Sequence, residues 1–156
     1  MRFIAVKPRA CLDTTIFIDY FVFGVDKISR YIASYSLCTP SSVLWETTYI
    51  LLKAKAMKDA GIRKHYEVLK YLRENPDYVR TATKEIVNDI KTLISLYKIR
   101  ILRVSPYRYM VREMLRYGLL PSDALIVATC RLHKVKTLIT CDEDFKRVVF
   151  LEIEIP

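Results

Sequence analysis

The sequence predicts an α/β protein with three layers, α/β/α, around a central, mostly parallel sheet of four to five strands. Short apolar strands alternate with longer helical segments along the chain, an alternation typical of parallel sheets with helices on both faces. The chain has 156 residues, of which 52% are apolar and 28% charged. It is therefore long and apolar enough to form one globular domain, which we predict over residues 1–156.

The first half of the chain divides at clear start and stop signals. Ser41 or Ser42 can cap the start of a long helix, and Gly61 can end it. Pro40 ends the strand that precedes this helix. In order, the predicted elements are a strand over 10–12, helices over 14–23 and 25–34, a strand over 35–39 and a helix over 41–60.

The second half continues the alternation. Ile86, Ile90 and Leu93 recur at helical spacing, and Pro121 suits the first position of a helix. The pair Asn75-Pro76 marks a break. In order, the predicted elements are helices over 62–75 and 81–97, a strand over 100–104, helices over 106–117 and 121–133, a strand over 137–141, a helical turn over 143–148 and an edge strand over 150–155.

Several functional classes lack their sequence signatures. The three glycines form neither a dinucleotide-binding fingerprint nor a P-loop. The four cysteines form no CxxC pair and sit among apolar neighbours, which favours reduced, buried thiols over disulfides or zinc. No apolar run reaches the ~18 residues of a membrane span, and the apolar stretch at the N-terminus is too short for a signal peptide. We therefore expect a cytoplasmic protein without a membrane partner.

The charge balance is strongly basic. The 26 lysines and arginines exceed the 17 acids by nine, giving a formal net charge of +9. Such a field favours polyanionic partners, including nucleic acid. A basic surface that only keeps the protein in solution is an equally good interpretation of composition alone.

Four acids stand where strands end or helices begin. Asp13 and Asp142 follow apolar strands, and Glu46 and Asp123 lie near helix starts. In a parallel sheet these positions meet at the carboxyl edge, where ligands bind. Clustered carboxylates suit Mg²⁺ or Mn²⁺. Two such ions about 3.5–4 Å apart would clamp a phosphodiester and activate water.

Each acid also has a purely structural interpretation. Asp13 and Asp142 can cap the helices that follow them, and Asp123 can favour a helix dipole from the first turn. Glu46 can be a solvated helix residue. Taken together, however, the four acids lie in largely apolar surroundings, where a carboxylate is costly without a cation.

Four motifs around these acids resemble the PIN domain family, the nuclease module of VapC-type toxins. They are LDTTIFIDYF around Asp13, SSVLWETTYILL around Glu46, PSDALIVATC around Asp123 and TLITCDEDF around Asp142. Their order spans nearly the whole chain. The last two, whose acids are nineteen residues apart, are the more specific pair.

The resemblance implies a Mg²⁺- or Mn²⁺-dependent endoribonuclease, often a homodimer, held inactive by a small antitoxin protein. Asp144 matches a further acid that is often present, and Thr140 matches a threonine that can orient a carboxylate or water. Thr15 stands where the family often has Asn or Ser, and it keeps a hydroxyl. The residues that match the acidic quartet are Asp13, Glu46, Asp123 and Asp142.

Nearby charged residues are weighed separately. Lys146 and Arg147 either contact RNA phosphate or form an exposed basic face. Asp19, six residues after Asp13, is expected to face solvent on a different side of its helix. Glu143 is interpreted as a helix-start charge rather than a ligand.

The leading hypothesis is a ribonuclease that cleaves phosphodiesters by a metal-activated water, as the toxin of a VapBC-type pair. One alternative is a PIN module that binds RNA or a partner without catalysis. Another is an RNA-processing nuclease without an antitoxin. A phosphatase of the haloacid-dehalogenase type is disfavoured, because Thr15 stands where its second aspartate is needed.

Overall fold

Five parallel strands form one sheet in the computed structural model, which describes residues 6–156. The sheet order is β3-β2-β1-β4-β5, and every neighbouring pair is parallel. This sheet, with helices packed around it, confirms the predicted fold class. The strands are β1 Arg9–Leu12, β2 Ser36–Pro40, β3 Arg100–Leu102, β4 Thr137–Ile139 and β5 Glu152–Glu154.

Six α-helices and two short 3₁₀ helices connect the strands. Helix α2 ends at Gly61, whose φ of 66° lies in the left-handed region that a side chain disfavours. Helix α6 begins with Pro121, which has no N–H to leave unpaired. The α-helices are α1 Thr14–Phe23, α2 Ser41–Ala60, α3 His65–Glu74, α4 Pro76–Tyr97, α5 Tyr107–Tyr117 and α6 Pro121–Leu132; the 3₁₀ helices cover Ser29–Tyr31 and Glu143–Arg147.

The predicted helix over 25–34 was wrong. Only Ser29–Tyr31 is helical there, as a single 3₁₀ turn. The side chain of Asp26 accepts hydrogen bonds from the backbone N–H groups of Ile28 and Ser29, at 2.9 and 3.1 Å. A side chain that satisfies these donors offers the backbone an alternative to a regular helix.

The other predicted elements are present in the structure, but several of them begin or end at different residues. Helix α4 begins at Pro76, five residues earlier than predicted, because proline starts a helix as readily as it breaks one. Helix α3 begins at His65 rather than at residue 62. The third, fourth and fifth strands are each shorter than predicted. They end where pairing with the neighbouring strand ends.

The central strand β1 positions the site. Ala10, Cys11 and Leu12 are fully buried, with β2 on one side and β4 on the other. The middle of helix α6 is also buried, at Ala124 and from Ile126 to Cys130, which matches its apolar sequence. The residues just after β1 and at the start of α6 are therefore held by the main core.

No helix in residues 6–156 combines the length and the apolar character needed to cross a bilayer. Cys11, Cys38 and Cys130 are buried, as the sequence predicted, but Cys141, which was also expected to be buried, is partly exposed.

Candidate active site

The four predicted carboxylates line one groove at the carboxyl edge of the sheet, together with a fifth, Asp19. Asp13 directly follows β1, and its backbone N–H donates to the carbonyl of Ile139 at the end of β4, at 3.1 Å. Asp142 follows β4, Glu46 lies in the second turn of α2, and Asp123 is the third residue of α6. The groove has a volume of about 400 Å³ and is lined by all four acids. The structure thus brings the predicted quartet together.

Asp13 is the most rigidly held of the four. It is only 4% exposed. Its Oδ1 accepts from the backbone N–H of Thr14 at 2.6 Å, and its Oδ2 accepts from the hydroxyls of Thr15 at 3.1 Å and Thr140 at 2.7 Å. Burial raises the pKa of Asp13, and these three hydrogen bonds oppose the rise. They also fix the orientation of the carboxylate.

The two supporting threonines tie Asp13 to the loop after β4. The hydroxyl of Thr140 accepts from the backbone N–H of Asp142 at 2.9 Å, while it donates to Asp13. The hydroxyl of Thr15 accepts from the backbone N–H of Cys141 at 3.0 Å. One hydrogen-bonded unit therefore positions both strand-end acids.

Glu46 joins three helices through one oxygen. Its Oε2 accepts from the hydroxyl of Thr14 in α1 at 2.6 Å and from that of Ser122 in α6 at 3.3 Å. Sequence reasoning missed both contacts. The only available signal was the adjacency of each hydroxyl to an acid of the quartet, Thr14 to Asp13 and Ser122 to Asp123.

The pKa of Asp123 reflects the negative charges in and around the groove. Burial, followed by the charges of Asp13, Asp142, Glu46 and Asp144, raises its pKa to about 6. Within residues 6–156, no basic side chain hydrogen-bonds or ion-pairs with any acid of the quartet. The four acids of the quartet therefore lie together without a direct cationic partner in that range, whereas the neighbouring acids Asp19 and Asp144 pair with Lys27 and Arg147.

This donor set fits a hard divalent cation. Oxygen ligands in uncompensated carboxylates are what Mg²⁺ and Mn²⁺ prefer. In the described part of the chain, no group of three or more His, Cys, Asp or Glu side chains is arranged so that it could hold a metal ion without moving. The argument for a cation therefore rests on the carboxylates that lie close to Asp123, and not on ligands already arranged around a metal position.

The loop after Asp142 carries the remaining predicted site residues. The backbone N–H of Asp144 donates to Asp142 Oδ1 at 2.8 Å, and the exposed carboxylate of Asp144 pairs with Arg147 at 2.7 Å. Lys146 pairs with Glu143 at 2.8 Å, in keeping with a helix-start charge at that position. A ligand role for Asp144 and RNA contacts from Lys146 and Arg147 stay predictions.

Asp19 corrects the sequence interpretation. Its side chain lines the same groove and is only 21% exposed, so the expectation of a solvated residue on another side was wrong. It pairs with Lys27 at 2.7 Å, and both contact the sulfur of Cys141. Helix α1 is apolar on most faces, so its pattern could not show which face turns toward the groove.

We predict that Thr140→Val weakens activity by about ten- to hundredfold without unfolding the protein. Valine keeps the shape of the buried side chain, but it removes the donor to Asp13 and the acceptor for Asp142. For the metal-dependent ribonuclease activity that we propose below, initial rates of RNA cleavage against metal concentration measure the effect, with the exposed Thr92→Val as control. Wild-type rates at every metal concentration would contradict the positioning role.

Comparison with known proteins agrees with this geometry. The sequence pattern of the PIN domain family matches residues 10–151. Two relatives come from Methanocaldococcus jannaschii. Ribonuclease VapC2 is 30% identical over 111 residues, which cover 71% of this chain and 66% of that protein, just under two thirds of its length. Ribonuclease VapC6 is 27% identical over 149 residues, covering 91% of this chain and 94% of that protein.

Solved structures share the fold at low sequence identity. VapBC2 from Rickettsia felis, bound to a DNA fragment from its promoter, has a TM-score of 0.58 and 18% identity, and the match covers 94% of this chain and 97% of that one. A toxin–antitoxin complex from Klebsiella pneumoniae has a TM-score of 0.52 and 18% identity, with 92% and 95% covered. With the family match over nearly the whole chain, these findings establish that the chain belongs to the PIN domain family.

Proposed function

We propose that this chain is a metal-dependent endoribonuclease and the toxin of a VapBC-type toxin–antitoxin pair. The single observation that carries the proposal is the groove in which Asp13, Glu46, Asp123 and Asp142 converge without a basic partner among the described residues. The names of the two relatives, Ribonuclease VapC2 and Ribonuclease VapC6, support an RNA substrate.

The four acids and Asp144 would bind the cation in different ways. Asp13, Asp123 and Asp142 would hold Mg²⁺ or Mn²⁺ directly, and Glu46 would bind it directly or through water, with Asp144 as a further ligand. When bound, the cation activates water and neutralises charge on the phosphate. The protein orients Asp13 through Thr15 and Thr140, so that one carboxylate faces the groove in a fixed position.

Protonation of Asp123 competes with the cation at low pH. In the metal-free chain, where the pKa of Asp123 is about 6, its carboxyl is mostly protonated below pH 6. A bound cation opposes this by favouring the charged carboxylate. The apolar side chains Ile18, Phe23 and Ile50 line the groove together with the acids.

The partners in the proposal follow the relatives and the structural neighbours. The Klebsiella pneumoniae neighbour is a toxin–antitoxin complex, which supports a small antitoxin as the partner of this chain. A homodimer and a cytoplasmic location complete the proposal. Co-purification with the protein of the adjacent gene tests the antitoxin.

RNA cleavage with purified protein tests the proposal. We expect cleavage of single-stranded RNA with Mg²⁺ or Mn²⁺, none with a chelator, and none with Asp13→Ala. Asp77→Ala is the matched control, because Asp77 is an exposed acid at the start of α4, far from the quartet in sequence. Cleavage that persists in chelator, or an active Asp13→Ala protein, would overturn the proposal. RNA binding without cleavage of any RNA would favour a non-catalytic PIN module.

A further inference from the structure

Helix α5 presents an exposed face whose only charged side chains are arginines. Arg108, Arg112 and Arg116 recur every four residues, which places them along one side of the helix at intervals of about 6 Å. The one acid of α5, Glu113, is fully buried. The exposed side of this helix is therefore a continuous cationic stripe, which we call the arginine stripe.

The charges of the arginine stripe are not used elsewhere in residues 6–156. Arg108 and Arg116 form no ion pair there, and Arg112 reaches Glu113 only at 3.5 Å. Glu113 is already bound through both oxygens by Arg131, at 2.8 and 3.0 Å. The three guanidinium groups instead lie over tyrosine rings: Arg108 and Arg112 are 4.7 and 5.0 Å from the centre of the Tyr109 ring, and Arg116 is 5.5 Å from that of Tyr117. One N–H of Arg108 also donates to the hydroxyl of Tyr109 at 3.0 Å.

Contact with the tyrosine rings leaves these arginines able to bind an anion. A guanidinium that lies over the face of an aromatic ring keeps N–H donors at its own outer edge, where they can meet phosphate oxygens. A side chain that lies over a ring also has less conformational freedom to lose when it binds. The arrangement therefore resembles a preorganised set of phosphate donors more than a set of freely solvated charges.

The arginine stripe ends beside the candidate active site. Helix α5 stops at Gly118, whose carbonyl accepts from Arg147 at 3.2 Å. Arg147 also pairs with Asp144, whose backbone N–H donates to Asp142. Helix α6, which carries Asp123, begins three residues after Gly118. A polyanion that follows the stripe toward its C-terminal end therefore arrives at the acidic loop.

We propose that the arginine stripe binds the backbone of the single-stranded RNA substrate and leads it to the carboxylate groove. The inference deepens the proposed ribonuclease function and rests on it for the identity of the strand. The quartet itself repels phosphate, so substrate binding needs cationic surface outside the groove. The arginine stripe supplies three such charges on one helix.

A second copy of this chain is the competing occupant, because Tyr107 and Leu115 on α5 are 75% and 84% exposed. A twofold contact places the same surface of each copy against the other. Two arginine stripes would then face each other, and α5 has no exposed acid to compensate them. The charges therefore favour RNA over self-association.

The test measures binding of a short fluorescein-labelled single-stranded RNA in chelator at several salt concentrations. The triple variant Arg108→Gln/Arg112→Gln/Arg116→Gln should bind about ten- to hundredfold more weakly near 0.1 M salt. The slope of log affinity against log salt should become shallower by about two, since each phosphate contact on a single strand contributes about 0.7. Because phosphate contacts carry no sequence information, two unrelated RNA sequences should lose affinity equally.

Two control variants distinguish the effect of the position of the arginine stripe from the effect of losing three positive charges. Lys70→Gln/Lys84→Gln/Lys91→Gln removes the same number of charges from exposed positions of α3 and α4 and should keep most of the affinity and slope. The Arg→Lys triple variant should retain the slope. In cleavage assays the Gln triple variant of α5 should raise KM with little change in kcat, because the quartet is intact.

Equal losses of affinity in the two Gln triple variants would overturn the proposal. So would a loss of self-association in the α5 variant with unchanged RNA binding, measured by sedimentation. These outcomes are distinct from failure of the ribonuclease proposal. If wild-type protein cleaves no RNA, the binding assay still decides the role of the stripe. If it cleaves and the α5 variant binds RNA normally, only the stripe fails.

Discussion

Replacing Asp123 by asparagine is expected to abolish RNA cleavage and to stabilise the metal-free protein at pH 7. Asparagine keeps the size of the side chain but removes one of the converging negative charges. Activity should fall by about a thousandfold or more, because metal catalysis contributes several kcal/mol that depend on the ligand set. Stability should rise by about 1 kcal/mol, a value already discounted because Asp123 is only half-buried.

The sign of the stability change follows from the pKa of Asp123. Its pKa is raised from 3.8 to about 6 in the folded chain. Between these values the folded protein holds more protons than the unfolded chain, so ionisation destabilises the fold as pH rises from about 4 to about 6. The advantage of Asp123→Asn should therefore be small at pH 4.5 and full at pH 7.5.

Urea unfolding in chelator at these two pH values measures the difference. Asp77→Asn is the control, because Asp77 also lies in the first turn of a helix but is exposed and pairs with Arg80. Its loss should slightly destabilise the protein at both pH values, as expected for an acid at a helix N-terminus. If Asp123→Asn is no more stable than the wild-type protein at pH 7.5, repulsion among the carboxylates of the groove does not destabilise the fold.

Replacing Arg131 by methionine is expected to cost about 3–5 kcal/mol in the free energy of unfolding. Arg131 binds the fully buried carboxylate of Glu113 through two hydrogen bonds, and its guanidinium lies 4.0 Å from the centre of the Phe150 ring. Methionine fills much of the space but leaves the buried carboxylate of Glu113 with only its long, 3.5 Å contact to Arg112. The penalty is large because a buried charge that has lost its closely hydrogen-bonded partner cannot be solvated by water instead.

A double-mutant cycle separates charge from packing. Glu113→Leu/Arg131→Met should recover much of the lost stability, since it removes both buried charges. Arg112→Met is the control for losing a cation beside Glu113, and it should change stability by less than about 0.5 kcal/mol because its contact is long and its side chain is half-exposed. If Arg131→Met unfolds no more easily than Arg112→Met, the ion pair does not stabilise the fold.

The positions of the quartet could be predicted because local chemistry marks the ends of helices and strands. An apolar strand followed by an acid placed Asp13 and Asp142 at one edge. Pro121 at a helix start did the same for Asp123. In a parallel sheet, topology then brings these ends together without further information. The single-domain organisation over residues 1–156 and the homodimer stay predictions.

The errors fall where local signals were equivocal. The basic and apolar alternation over 25–34 looked helical, but the side chain of Asp26 competes for the backbone donors. The pair Asn75-Pro76 predicts a break, but proline also suits the first position of a helix, and α4 begins at Pro76. In both cases a neighbouring residue, and not the average pattern, determined the backbone.

The α/β alternation and the four acids at its element ends can be predicted from the sequence, because they depend on residues close together in the chain. The tertiary structure was needed to show that Asp19 lines the groove and pairs with Lys27, that Ser122 reaches Glu46, and that Glu113 is buried against Arg131. These contacts join residues from 8 to 76 positions apart, and they depend on how helix faces turn when they pack. That rotation is set by the whole core, so no local pattern contains it.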